Sequence, residues 1–114
     1  MKERRRTIRY RFTASAEVID EKSQKQLSTR VAELSLFGCY FEVTTPFPTG
    51  TPILVKIARG LVFFEARGRV IYSRPNKGMG VAFRSVHPYF LEVLQGWLSE
   101  AEKDRQKLRQ PVGT

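Results

Sequence analysis

Six basic side chains, Lys2, Arg4, Arg5, Arg6, Arg9 and Arg11, fall within residues 2–11 against one carboxylate, Glu3. A cluster of this density attracts phosphate groups, whether in a nucleotide, a nucleic acid or a lipid headgroup. Five of the six are arginines, whose planar forks grip phosphate in a bidentate way and stack on flat rings. Arg5 and Arg9 form an R-x-x-x-R spacing. A second group lies in Glu33-Leu34-Ser35-Leu36-Phe37-Gly38, which puts a carboxylate, a hydroxyl and a glycine within one short stretch. The carboxylate can accept N–H groups, Ser35 can donate to phosphate or base, and Gly38 permits a tight turn or close backbone approach. Taken alone, S-x-x-G describes an ordinary strand-to-strand turn.

Other reactive side chains are sparse. The lone histidine, His87, sits in "SVHPYF" and reads as a helix-start residue, and the single cysteine, Cys39, lies in an apolar alternation that suits core packing. One cysteine excludes an intrachain disulfide, and with one histidine it leaves no ligand set for a structural metal. "KGMG" lacks the spaced glycines and Lys-Ser/Thr ending of a phosphate-cradling loop, so its glycines are assigned to a hairpin, where Pro75 and Asn76 favour the reversal and Gly78 is able to take positive φ. No nucleophile with a base and no paired carboxylates are evident, so no enzyme activity, metal or cofactor is expected.

The elements that must hold these groups follow from periodicity. At 114 residues, with 41% apolar and 27% charged residues and a net charge of +9, the chain suits one globular domain. "LVFF" and the other apolar runs are too short to span a membrane, and no secretory pattern follows the basic start. A cytoplasmic protein is the expectation. Strands are expected in "TASAEVID", "LSTRVAELS", Cys39 to Thr44, "PILVKIA", "LVFFEARGRVIY" and "MGVAF". In the second, Leu27, Thr29, Val31 and Glu33 fall on one side and Leu34 on the other. In the fifth, Val62, Phe64, Ala66, Val70 and Tyr72 alternate against Phe63, Glu65, Arg67 and Arg69. From Pro88 the period changes, and Phe90, Leu91, Leu94, Trp97, Leu98 and Ala101 recur at helical spacing. The expectation is an all-β domain with a C-terminal helix, a six-stranded antiparallel barrel whose open end or seam the helix covers. Residues 1–12 form a basic segment, 13–99 the barrel and start of the helix, and 100–114 a charged helix end and tail.

The two clusters, in this order and spacing, resemble the PilZ domain family, and "GCYFEV" and "KGMGVAF" resemble its usual continuation. The resemblance spans roughly residues 3 to 98 and implies a PilZ-type split β-barrel. It also implies a ligand, the bacterial second messenger cyclic di-GMP, held by Arg5, Arg9, Ser35 and Gly38, with Arg4, Arg6 and Glu33 adding to the site. Glu33 departs from the family pattern, which has Asp or Asn there, and its extra methylene places the carboxylate about 1.5 Å further out.

Three functions compete. The first is a cyclic di-GMP receptor that changes conformation on binding and signals to an effector protein. The second is a PilZ-like interaction module that does not bind the nucleotide, as the Glu33 departure permits. The third, ranked last, is nucleic-acid binding through the basic arm, with Tyr10, Phe12 and Phe37 as stacking residues.

Overall fold

A computed structural model describes residues 7–109. Arg4, Arg5 and Arg6, and residues 110–114 of the expected tail, lie outside the described residues. Six strands precede one helix: β1 Tyr10–Asp20, β2 Gln26–Leu34, β3 Gly38–Glu42, β4 Pro52–Arg59, β5 Val62–Arg74, β6 Gly78–Ser85 and α1 Pro88–Arg109. The strands are antiparallel and form a closed ring in the order β1-β2-β3-β6-β5-β4. Closure runs through β1 and β4, paired from Ser15↔Ala58 to Asp20↔Ile53, so the expected seam is hydrogen-bonded. Full closure removes exposed sheet edges.

Alternation places the core. Phe12, Ala14, Ala16 and Val18 of β1, Ile53, Val55 and Ile57 of β4, and Phe64, Ala66 and Val70 of β5 are buried. Phe41, Met79 and Val81 join them from β3 and β6. The helix covers an end of the barrel. Trp97 lies 5.3 Å from Phe12 and 6.4 Å from Phe64, ring centre to ring centre, and Phe90 packs edge-on against Phe64.

Two expected alternations break at bulges. The β2–β3 register shifts between Val31 and Glu33, which leaves Val31 inside but turns Leu34, rather than Glu33, into the core. The β5–β6 register shifts between Val70 and Tyr72, so Tyr72 leaves the buried face and is 36% exposed. Val62 is also exposed, because it pairs with Arg59 at the tip of the Gly60-Leu61 turn, beyond the core. Phe47, in the proline-rich β3–β4 connection, is buried and was not legible from periodicity.

Local chemistry sets the turns. Asp20 Oδ1 accepts from the backbone N–H of Lys22 and Ser23, and these bonds hold its carboxyl below the ordinary range. In the β5–β6 turn the positive φ falls on Asn76, at 67°, and not on Gly78. Asparagine tolerates that conformation. Gly78 is needed for space instead, since a Cβ there would lie 2.1 Å from the Phe41 carbonyl oxygen. At the start of α1, Pro88 takes the first helical position, His87 Nδ1 accepts from the Tyr89 N–H, and the His87 carbonyl accepts from Leu91.

Candidate ligand-binding cleft

The β1–β2 pairing assembles the site. Tyr10 pairs with Leu34 and Arg11 with Glu33, so Arg9, one residue before β1, emerges beside the Ser35–Gly38 turn that follows β2. The turn is closed by the Ser35 N–H donating to the Gly38 carbonyl at 2.9 Å, and the Ser35 hydroxyl reaches the same oxygen at 3.2 Å. A further bond, from the Phe83 N–H to the Phe37 carbonyl, ties the turn to β6.

Arg9, Glu33, Ser35 and Gly38 line one cleft of about 360 Å³, together with Thr7, Phe37, Tyr40, Ile71, Tyr72 and Gly80. Four sequence-expected residues, some two dozen positions apart, are thus brought to one place. Glu33 and Tyr40 also border a neighbouring recess that includes Arg11, Arg30 and Glu42. The cleft combines an apolar and aromatic lining with a few polar groups, the usual make-up of a small-molecule site.

Of the two uses open to Gly38, a tight turn or a close backbone approach, the structure shows the second. Its φ is not in the left-handed region, and a Cβ there would sit 2.1 Å from the Val81 carbonyl oxygen. The glycine lets β3 approach β6, where Gly38 pairs with Ala82. Ser35 also differs from a free donor: its hydroxyl hydrogen is engaged by the Gly38 carbonyl, which leaves the oxygen to accept.

Tyr40 and Tyr72 were not expected at the site. Their rings stack at 6.1 Å between centres and 27° between planes, and the Arg74 guanidinium lies 5.7 Å from the centre of the Tyr72 ring. Tyr72 lies over Gly80, where a Cβ would come within 2.3 Å of its ring. The glycines of "GMG" thus seat the two tyrosines flat on β6. A period of two assigns Tyr72 to the core, and only the bulge brings it out.

Of the aromatics considered for stacking on nucleic acid, Phe12 is buried against Trp97 and Tyr10 is bonded to Glu102, while Phe37 is 64% exposed. Cys39 is buried, and desolvation pushes its thiol far above the ordinary range, which leaves it inert. Among the described residues no group of three His, Cys, Asp or Glu side chains could hold a metal ion, and no helix is long and apolar enough to cross a membrane.

A closed six-stranded barrel, capped by one helix and entered by an arginine-bearing strand, defines a small β-barrel domain. The PilZ domain model matches residues 3–100, and the chain belongs to that family. No curated protein matches. The structure is similar to the PilZ domain of Escherichia coli YcgR with c-di-GMP, at a TM-score of 0.72 and 19% identity, covering 96% of this chain and all of that one. It is also similar to the Bacillus subtilis inhibitor of motility MotI/DgrA, at 0.73 and 15%, covering 96% of this chain and 55% of that one. The YcgR complex with c-di-GMP gives 0.74 and 19%, covering 92% and 49%. The chain thus spans about half the length of the MotI/DgrA and YcgR chains. At these identities the likeness is one of fold.

Proposed function

We propose that this domain is a cyclic di-GMP receptor, and that binding alters its contact with an effector protein. The observation that carries the reading is the convergence of Arg9, Glu33, Ser35 and Gly38 on one cleft walled by Tyr40 and Tyr72. The ligand has two guanines and two phosphates. Guanine offers O6 and N7 to a guanidinium fork, which suits Arg9, and Arg5 supplies the second fork of the R-x-x-x-R pair. Glu33 and the Ser35 oxygen accept from guanine N–H groups. Tyr72, 36% exposed in the cleft lining, offers an aromatic ring to the base, worth about 1–3 kcal/mol for a stacked nucleobase. Arg4 and Arg6 add attraction for phosphate. The domain binds rather than catalyses, and it works without a cofactor.

The second reading, a partner-binding module without nucleotide, draws support from Glu33, which lines the cleft with a side chain one methylene longer than the family's Asp or Asn. Calorimetric titration with cyclic di-GMP separates the two. Wild type should give saturable heat, Arg5→Ala and Arg9→Ala should each weaken binding at least tenfold, and Glu33→Asp should bind at least as tightly as wild type. Absence of heat from the wild type would reject the receptor reading.

A further inference from the structure

The strand that delivers Arg9 to the cleft also grips the helix. Tyr10 and Phe12 face α1, with the exposed Arg11 between them. Phe12 packs on Trp97, and the Tyr10 hydroxyl donates to Glu102 Oε1 at 2.5 Å. Two strand residues advance about 6.8 Å. Five helix residues advance about 7.5 Å. The contacts Phe12–Trp97 and Tyr10–Glu102 therefore run in step along the two elements. Glu102 is itself fixed, accepting from Arg105 Nη1 at 3.1 Å and Gln106 Nε2 at 2.8 Å. Arg59 reinforces the junction, with its guanidinium 4.9 Å from the Phe12 ring centre and 3.5 Å from Glu100.

Arg9 and Tyr10 share one planar peptide unit and sit on opposite errands, one in the cleft wall and one on the helix. We infer that Tyr10 and Glu102 form a clasp that positions Arg9 for the ligand and links occupancy of the cleft to the outer turns of α1, from Leu98 to Leu108. This rests on the reading of the cleft as the cyclic di-GMP site. Because one backbone geometry satisfies both contacts, the coupling is positive, and linkage makes it reciprocal. A ligand that fixes Arg9 steadies the clasp, and loss of the clasp loosens Arg9. Tyr10 acts here as a positioning residue, without touching the ligand.

The test combines affinity with amide exchange on the full chain. Tyr10→Phe should raise the Kd for cyclic di-GMP about three- to tenfold, the net worth of one ordinary hydrogen bond. Glu102→Ala should match it, while Glu102→Gln, which keeps an acceptor for the phenol, should stay near wild type. In an Arg9→Ala background, titrated at raised ligand concentration, Tyr10→Phe should cost nothing further. A general loosening of the fold would persist there. Ligand should slow exchange severalfold between Leu98 and Leu108 in wild type and leave it unchanged in Tyr10→Phe. If wild type binds but Tyr10→Phe binds equally well, or loses as much in the Arg9→Ala background, or exchange in α1 ignores the ligand, the clasp is refuted and the receptor reading stands. If wild type does not bind at all, the receptor reading fails and the clasp fails with it.

Discussion

Two alanine substitutions at glycines of the same cleft should behave in opposite ways. At Gly38 the new Cβ would lie 2.1 Å from a backbone oxygen, that of Val81. An unstrained carbon–oxygen contact is about 3.3 Å, so β3 and β6 must part by about 1 Å. That is enough to break ladder bonds near the contact. The β3–β6 ladder holds only five residue pairs, from Gly38↔Ala82 to Glu42↔Gly78. Losing two or three bonds, at about 1 kcal/mol net each, puts the cost of Gly38→Ala at about 2–4 kcal/mol. At Gly80 the Cβ would meet the Tyr72 ring at 2.3 Å, and that side chain is open to solvent and free to swing away. Gly80→Ala should therefore cost less than about 1 kcal/mol of stability, yet it removes the aromatic wall and should weaken nucleotide binding about tenfold or more. Urea unfolding of both variants, followed by titration with cyclic di-GMP in the absence of denaturant, measures each arm. The reasoning fails if Gly38→Ala unfolds within about 0.5 kcal/mol of wild type, or if Gly80→Ala is as destabilised as Gly38→Ala. The outcome matters for reading Gly38, because lost binding in Gly38→Ala would follow from a damaged sheet and not from a missing ligand contact.

Further outcomes follow from single features. The Tyr10 hydrogen bond holds the Glu102 carboxyl below its ordinary range, so its contribution is full above the unfolded carboxylate pKa and disappears as pH falls through the lowered folded value. The same bond raises the Tyr10 phenol, whose contribution is full below the unfolded phenol pKa and lost as pH rises through the folded one. Thermal unfolding of wild type against Tyr10→Phe should accordingly differ most on a plateau between about pH 5 and 9 and converge on either side. Phe64→Ala, at a fully buried ring touching Phe83, Phe90 and Trp97, should cost about 3–5 kcal/mol in urea unfolding. Asn76→Ala should cost about 1 kcal/mol while Asn76→Gly holds stability, because position 76 has φ of 67°. Cys39 should react with a thiol reagent at least about a hundredfold more slowly in the native protein than in urea.

The barrel was legible because nearly every strand follows a period of two, as in Ile53, Val55 and Ile57, and because the period changes after Pro88. What escaped were departures from that period. Leu34 entered the core and Tyr72 left it at bulges, which depend on how neighbouring strands pair and leave no local trace. Phe47 is held by tertiary packing alone, in a connection without a period. The positive φ of the last hairpin falls on Asn76, while Gly78 serves the close approach to the carbonyl of Phe41. At the cleft, Arg9, Glu33, Ser35 and Gly38 could be named from spacing and family resemblance. Their meeting depends on the Tyr10↔Leu34 register, and the tyrosine wall depends on the bulge. The partnership of Tyr10 with Glu102 joins residues 92 positions apart, beyond the reach of any local pattern.

That last contact has a topological consequence. Since residue 10 touches residue 102, the domain brings the start of its first strand beside the outer part of α1. A host protein could carry it as an insert with little spacing between the points of attachment, and a neighbour joined at either side would stand over the same rim of the barrel. The chain could equally be rewired. Opening the chain at the Gly60-Leu61 turn, where Leu61 is 95% exposed, would leave every strand pairing intact.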